Sequence, residues 1–234
     1  MTKGRIPDGP AVAAVAGLMG DPSRAAILTA LLGGVARPAG ELAKYARVSP
    51  STASAHLARL VEGGLVRATT AGRHRYFALA GPQVARALEA LALVAPPAPE
   101  TGGKGDFELR RLRRGRTCYD HLAGALGVAV TEALVARGSL EPHGDAFEVT
   151  AEGEEWLGRL GVDAGRIRSG RRAFARACLD WSERRPHLAG ALGAAITARF
   201  FEAGWLARVD GSRAVVPTSA GRRAFRRELG VVAD

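Results

Sequence analysis

Two cysteines and the histidines that follow them are the side chains of this sequence best suited to chemistry. Cys118 and His121 stand three residues apart in CYDH, and Cys178 and His187 stand nine apart in CLDWSERRPH. Thiolates and imidazoles are soft and borderline donors, so two of each suit a zinc, copper(I) or arsenite-class ion. On a helix, a three-residue spacing places Cys118 and His121 on one face. The intervening WSERRP bars Cys178 and His187 from sharing a helical face and makes the two sets unequal. The same residues also fit a thiol redox sensor, the edge of a pocket for a small organic ligand, or two buried cysteines that only fill space. Two cysteines sixty positions apart do not build the disulfide framework of a small secreted domain.

These residues border an internal duplication. HLAGALGVAVT at 121–131 returns as HLAGALGAAIT at 187–197, and each copy is preceded by Cys-x-Asp, with Asp120 and Asp180. The first copy predicts a helix from His121 to Arg137 that Gly138 ends, strands near Leu140 and Phe147–Val149, and a helix capped by Thr150. The second predicts a helix from His187 to Ala203, strands near Leu206 and Ala214–Val216, and a helix capped by Thr218. Glycine costs about 1 kcal/mol relative to alanine inside a helix, so AGALG needs a reason. Small residues at 123, 124 and 127, and at 189, 190 and 193, are expected to leave a shallow groove. Either the other copy, across a pseudo-twofold axis, or a flat ligand then comes close. Trp156, Trp181, Trp205 and Tyr119 are expected in the core. The arginine runs 110–116, 168–172 and 222–227 are expected as solvated or carboxylate-paired faces.

The net charge of +10 over 234 residues points to an anionic partner, nucleic acid first. All but three of the 33 basic residues are arginine, which a GC-rich genome also produces. No apolar run reaches the roughly 18 residues of a membrane span. AVAAVAGLMG at 11–20 is short and runs straight into DPSR, so it does not fit a signal peptide. The expectation is a cytoplasmic protein with no membrane partner. No nucleophile motif or phosphate loop suggests an enzyme. APPAPETGGKGD at 95–106 has linker composition and separates residues 1–94 from 107–234.

The first part has clear helix punctuation. Asp21 and Pro22 open one helix and Gly33–Gly34 close it; a second covers about Ala39–Arg47. Ser49 and Pro50 open a third, which Gly63–Gly64 close. Leu57, Leu60 and Val61 form the buried face of that third helix. Ser51, Thr52, Ala55 and Arg59 are left outward, with Ser54 and His56 at the border. The pair of short helices makes a helix-turn-helix. LVRATT and RHRYFAL, joined by AGR, add a β-hairpin wing tipped with Arg73, His74 and Arg75.

GDPSRAAIL, GELAKYARVSPSTASAHLARLVEGGLV and GRHRYFAL, in this order and spacing, resemble the winged-helix core of the ArsR/SmtB family of bacterial repressors. The resemblance covers about residues 11–94. It implies a homodimer joined through Val12–Met19 and Gln83–Val94, double-stranded DNA with an inverted-repeat operator as partner, and residues 49–62 as the recognition helix. DNA contacts are then expected from Ser49, Ser51, Thr52, Ser54, His56, Arg59, Arg73 and Arg75. The places where many relatives bind metals, ARPAGEL at 36–42 and PQVARALEALAL at 82–93, hold neither cysteine nor histidine. An effector therefore falls to the duplicated half, with Cys118, His121, Cys178 and His187 as its candidate residues. It would be a metal or metalloid ion or a small organic molecule, and DNA binding itself would need no cofactor. The expected fold is mainly α with small β-hairpins (α+β): an N-terminal winged helix-turn-helix and a C-terminal domain of two helix-hairpin-helix repeats. The expected function is a sequence-specific transcriptional regulator, a homodimeric repressor released by its effector. An effector-independent architectural DNA-binding protein and a thiol-dependent enzyme in the duplicated half are the alternatives.

Overall fold

The computed structural model describes residues 11–96 and 104–233, with side chains from 107 onward in the second stretch. The chain forms two compact units, Met1–Leu88 and Glu89–Asp234, and the division falls within helix α5 (Pro82–Val94). Residues 97–103 of the expected linker lie outside the described residues, and helix α6 (Lys104–Arg114) begins inside the segment given to it.

In the first unit the predicted punctuation is visible as hydrogen bonds. Helix α1 (Val12–Met19) precedes α2 (Pro22–Leu31), whose N-cap Asp21 accepts the Arg24 N–H at 2.9 Å. The two-residue strand β1 (Arg37–Pro38) leads into α3 (Ala39–Ala46), which Arg47 ends in the left-handed conformation. Helix α4 (Pro50–Glu62) starts at Ser49, whose Oγ accepts the Thr52 N–H at 3.1 Å. Strands β2 (Val66–Ala71) and β3 (His74–Leu79) form the wing, paired Ala71 to His74 across a two-residue turn, and β1 adds to β3 in the order β1-β3-β2. Ile27, Leu28, Leu31, Leu42, Leu57, Leu60 and Phe77 close one core. Burying each such side chain stabilises the unit by roughly 1.5–3 kcal/mol.

The second unit departs from the expected helices at the duplicated sequence. The predicted helices from His121 and His187 each begin three residues later, because His-Leu-Ala is a strand in both copies. Strand β4 (Arg116–Cys118) pairs antiparallel with β5 (His121–Ala123), and helix α7 (Gly124–Ala136) follows. After it come β6 (Leu140–His143), β7 (Ala146–Val149), α8 (Ala151–Leu160) and the short α9 (Ala164–Arg168). Strand β8 (Arg176–Leu179) pairs with β9 (Pro186–Ala189), followed by α10 (Gly190–Glu202), β10 (Leu206–Arg208), β11 (Val215–Pro217) and α11 (Ser219–Leu229).

The glycines of AGALG make the strand-to-helix turn rather than an open groove. Gly124 and Gly190 sit at φ +76° and +81°, where an L side chain is strained. A Cβ on Gly127 would lie 2.5 Å from the Leu122 carbonyl oxygen, and on Gly193 2.3 Å from that of Leu188. Each helix thus lies on the strand that precedes it, and the small residues are buried.

The two copies are also bound to each other by matching bonds. Thr131 Oγ1 accepts the Leu188 N–H and Thr197 Oγ1 accepts the Leu122 N–H, both at 2.9 Å. Phe147 N–H donates to Ala175 O at 2.9 Å, tying β7 to β8, and Val215 N–H donates to Gly115 O at 3.0 Å, tying β11 to the first hairpin. Each half's later hairpin thus completes the other half's cysteine hairpin, and a single core of Leu122, Leu126, Leu134, Trp156, Leu188, Leu192, Phe200 and Phe225 serves both. Tyr119, expected in the core, is 65% exposed, because it occupies the tight β4–β5 turn at φ +62°.

Candidate nucleic-acid interface and thiol–imidazole cluster

On the first unit, Ser49, Ser51, Thr52, Ser54 and Arg59 lie exposed along α4, while Ala53, Leu57 and Leu60 are buried on its opposite side. Ser49 Oγ lies 2.9 Å from Ser51 Oγ and 2.8 Å from Thr52 Oγ1, so three hydroxyls gather at the helix N-terminus. A helix start with small hydroxyl side chains lets an anionic backbone come close to free N–H groups. His56 is half-buried, with Nδ1 3.9 Å from Asp21 Oδ1, so its ring is turned toward the cap of α2. The wing tip holds Arg73, His74 and Arg75, all exposed, with Gly72 at φ +60° making the turn and Arg75 lying over the Phe77 ring.

In the second unit the structure brings together all four predicted donors. Cys118 pairs with His121 across β4–β5, and Cys178 pairs with His187 across β8–β9. The sequence had suggested a shared helix face for the first pair and none for the second. Both pairs are instead cross-strand neighbours in identical register, Arg116 to Ala123 and Arg176 to Ala189 marking the other end. Residues 180–185 loop out between the second pair of strands and absorb the longer spacing. The imidazoles of His121 and His187 stack at 5.1 Å between centroids, and one donor atom from each of the four residues lies within 4.8 Å of all the others.

Each histidine faces a carboxylate with its Nδ1. His121 Nδ1 lies 3.5 Å from Asp120 Oδ1, and His187 Nδ1 lies 3.5 Å from Asp180 Oδ2. Nε2 of both rings, and Nδ1 of His187 as well, is buried and has no hydrogen-bond partner among the described residues. The Cys118 thiol next to Cys178, helped by the nearby Arg176 charge, lowers the Cys178 pKa to about 7 against the effect of burial. The Cys118 pKa moves up, because its proton is shared with Cys178 and the site is buried.

The two carboxylates are held differently. Asp120 makes a two-pronged pair with Arg172 at the surface. Asp180 is fully buried and accepts from Arg116 Nη2 at 2.9 Å, the Gly124 N–H at 2.7 Å and Ser182 Oγ at 2.7 Å. Burial alone would push the Asp180 carboxyl up; the Arg116 charge and these hydrogen bonds outweigh it and hold the pKa at about 2. Arg116 also approaches Glu89 at 3.9 Å, and Glu89 pairs with Arg213 at 2.9 Å and faces Cys118 Sγ at 3.9 Å.

Sequence reasoning missed Arg116, Glu89 and Arg213. Arg116 belongs to the run RRLRRGR that was expected as a solvated or carboxylate-paired face; it does pair with a carboxylate, Asp180, but at 1% exposure inside the fold, because it leaves α6 and enters β4. The signal was present as Arg-x-Cys-x-Asp, RTCYD at 116–120 and RACLD at 176–180. The other arginine runs, 168–172 and 222–227, do present exposed arginines.

A helix-turn-helix domain family matches residues 19–68. The chain is 45% identical over 222 residues to the HTH-type transcriptional regulator YdfF of Bacillus subtilis (strain 168), covering 95% of this chain and 98% of that protein. It is 44% identical over 84 residues to the HTH-type transcriptional regulator CmtR of Mycobacterium bovis, 36% of this chain and 70% of CmtR. Among solved structures, it is similar to the homodimeric winged helix-turn-helix DNA-binding domain of Mb0332 from Mycobacterium bovis, described as a possible ArsR-family transcriptional regulator. That match has 31% identity and a TM-score of 0.35, over 40% of this chain and 89% of the other. No helix of the described residues is long and apolar enough to cross a membrane.

Proposed function

We propose, since the chain belongs to the ArsR family of winged helix-turn-helix transcriptional regulators, that it is a homodimeric repressor whose operator binding is controlled by an effector sensed in the second unit. The observation that carries the DNA-binding surface is the exposed face of α4, with Ser49, Ser51, Thr52, Ser54 and Arg59, beside the wing arginines Arg73 and Arg75. Arg73 and Arg75 hold the phosphate backbone and fix register, while the hydroxyls at the start of α4 approach base edges. His56 sits at the border of this surface and steadies α4 against Asp21.

Dimerisation is supported by unpartnered apolar surface. Val12 is 67% exposed on α1, and Leu91 and Val94 are exposed at the end of α5. A helix as apolar as α1 with no buried residue is expected to cover itself with a second copy. The C-terminal half is read as two degenerate helix-hairpin-helix repeats forming the effector domain, consistent with its matching hydrogen bonds. The test is fluorescence anisotropy with DNA flanking the protein's own gene. A dimer should select an inverted repeat with half-site centres about one helical turn apart. A monomer that binds half-sites and random DNA equally overturns the proposal.

A further inference from the structure

We propose that Cys118, His121, Cys178 and His187 close a tetrahedral two-sulfur, two-nitrogen site for a zinc-class divalent ion, one per chain, on the axis that relates the two copies of the duplicated sequence. Each copy supplies one thiol and one imidazole from the same register position of its hairpin. Bonds of about 2.3 Å to sulfur and about 2.0–2.1 Å to nitrogen set neighbouring donors about 3.3–3.8 Å apart. The four donor atoms already lie within 4.8 Å of one another, so closure needs movements near an ångström, within reach of side-chain rotation.

The histidines are set up as ligands. A buried ring nitrogen without a partner has lost its hydration with nothing in return, and here Nε2 of both His121 and His187 is in that position. Asp120 lies within hydrogen-bond distance of His121 Nδ1, which leaves that ring's Nε2 lone pair for an ion, and the Asp180 carboxylate lies 3.5 Å from His187 Nδ1. Such carboxylate–histidine pairs orient metal-binding imidazoles. Arg172 and Arg116 compensate those carboxylates, so the charge at the cluster itself is that of two thiolates. A divalent ion makes the centre neutral, and its binding sends the thiol protons to bulk solvent. Thiolate and imidazole together favour zinc, cadmium or cobalt(II) over magnesium or calcium, which take oxygen donors. All four positions are filled by protein, so the centre is closed and suits sensing or bracing rather than catalysis. As a ligand of this cluster the ion stands on the geometry alone; as the effector it rests on the regulatory reading above.

The experiment is anaerobic titration of reduced, chelator-treated full-length protein with cobalt(II). Tetrahedral thiolate ligation gives strong visible bands and a sulfur-to-cobalt charge-transfer band that saturate at one equivalent per chain, and zinc bleaches both. Cys118→Ser and Cys178→Ser should each weaken the charge-transfer band. Asp120→Asn, which keeps the shape of this half-buried side chain, should weaken zinc affinity about 10–100-fold through His121, in protein whose thermal melt shows it folded. Weak octahedral bands, or no charge-transfer band in the wild-type protein, overturn the site whatever the variants do. Unchanged zinc affinity in Asp120→Asn overturns the positioning role. Operator affinity is measured separately: a site that fills normally without altering DNA binding retains the ion and removes it as effector.

Discussion

Replacing Arg116 with methionine should destabilise the second unit by about 3–5 kcal/mol, the cost of leaving one member of a buried ion pair alone. Arg116 and Asp180 are 1% and 0% exposed and meet at 2.9 Å, so little solvent is available to screen the orphaned carboxylate. Depression of the Asp180 pKa from 3.8 to about 2 corresponds to roughly 2 kcal/mol of that stability. The remainder comes from the lost packing of the guanidinium over Trp181, at 4.7 Å, and its bond to Leu112 O. All three tryptophans, Trp156, Trp181 and Trp205, lie in the second unit, so urea unfolding followed by their fluorescence reads that unit alone. At roughly 1–3 kcal/mol per molar urea, the midpoint should fall by about 1–5 M. The pH dependence sharpens the test. In the wild type, the depressed Asp180 pKa contributes stability above pH 3.8, which is lost as pH falls through about 2. Without Arg116, burial raises that pKa, so the charged carboxylate is a penalty at neutral pH that protonation relieves. The gap between wild type and variant should therefore narrow from pH 7 to pH 4. A gap below 1 kcal/mol at pH 7, or one that stays constant with pH, would refute the paired-charge account.

Other substitutions follow from the same geometry. Gly127→Ala and Gly193→Ala should each lower the melting temperature of the second unit by overpacking worth about 1–3 kcal/mol, because the new methyl meets the Leu122 or Leu188 carbonyl. Gly158→Ala, in α8 with open space around it, should stabilise by up to about 1 kcal/mol in the same melts. Thr131→Val and Thr197→Val should each cost about 1–3 kcal/mol, by similar amounts, since each leaves a buried N–H of the other copy unpaired; unfolding that shows only one to be harmful contradicts the matching roles. Arg73→Ala and Arg75→Ala should weaken binding to all DNA sequences alike and reduce the salt slope by about 0.9 per lost phosphate contact. Changes at Ser51, Thr52 or Ser54 should instead shift base preference in a selection experiment.

The first unit was legible because its boundaries are written in residues with one strong local preference. Asp21–Pro22 and Ser49–Pro50 open helices, and the hairpin turn is placed by Gly72. The donor set was legible too, as a repeated Cys-x-Asp followed by histidine. Its geometry was not. A three-residue strand is too short to show a period of two, and His-Leu-Ala runs without a break in composition into an apolar helix, so the strand was absorbed into the helix. Cross-strand register, and not helical spacing, decides that Cys118 reaches His121. The longer spacing between Cys178 and His187 likewise breaks no symmetry, because a hairpin loop takes extra residues without moving its paired strands. Arg116 was hidden for a different reason. A run of arginines gives no local signal of which member turns inward, and its partner Asp180 is 64 residues away.

Under the proposed function, the duplicated half builds a thiol–imidazole centre that governs DNA binding by the winged helix. The most direct measurement is operator affinity by fluorescence anisotropy on reduced full-length protein, with zinc or cadmium buffered from absence to saturation, in the wild type and in Cys118→Ser/Cys178→Ser. The ion should weaken operator binding at least tenfold in the wild type and leave the double variant unchanged. Equal affinity with and without the ion in the wild type, or an equal response in the double variant, would contradict it.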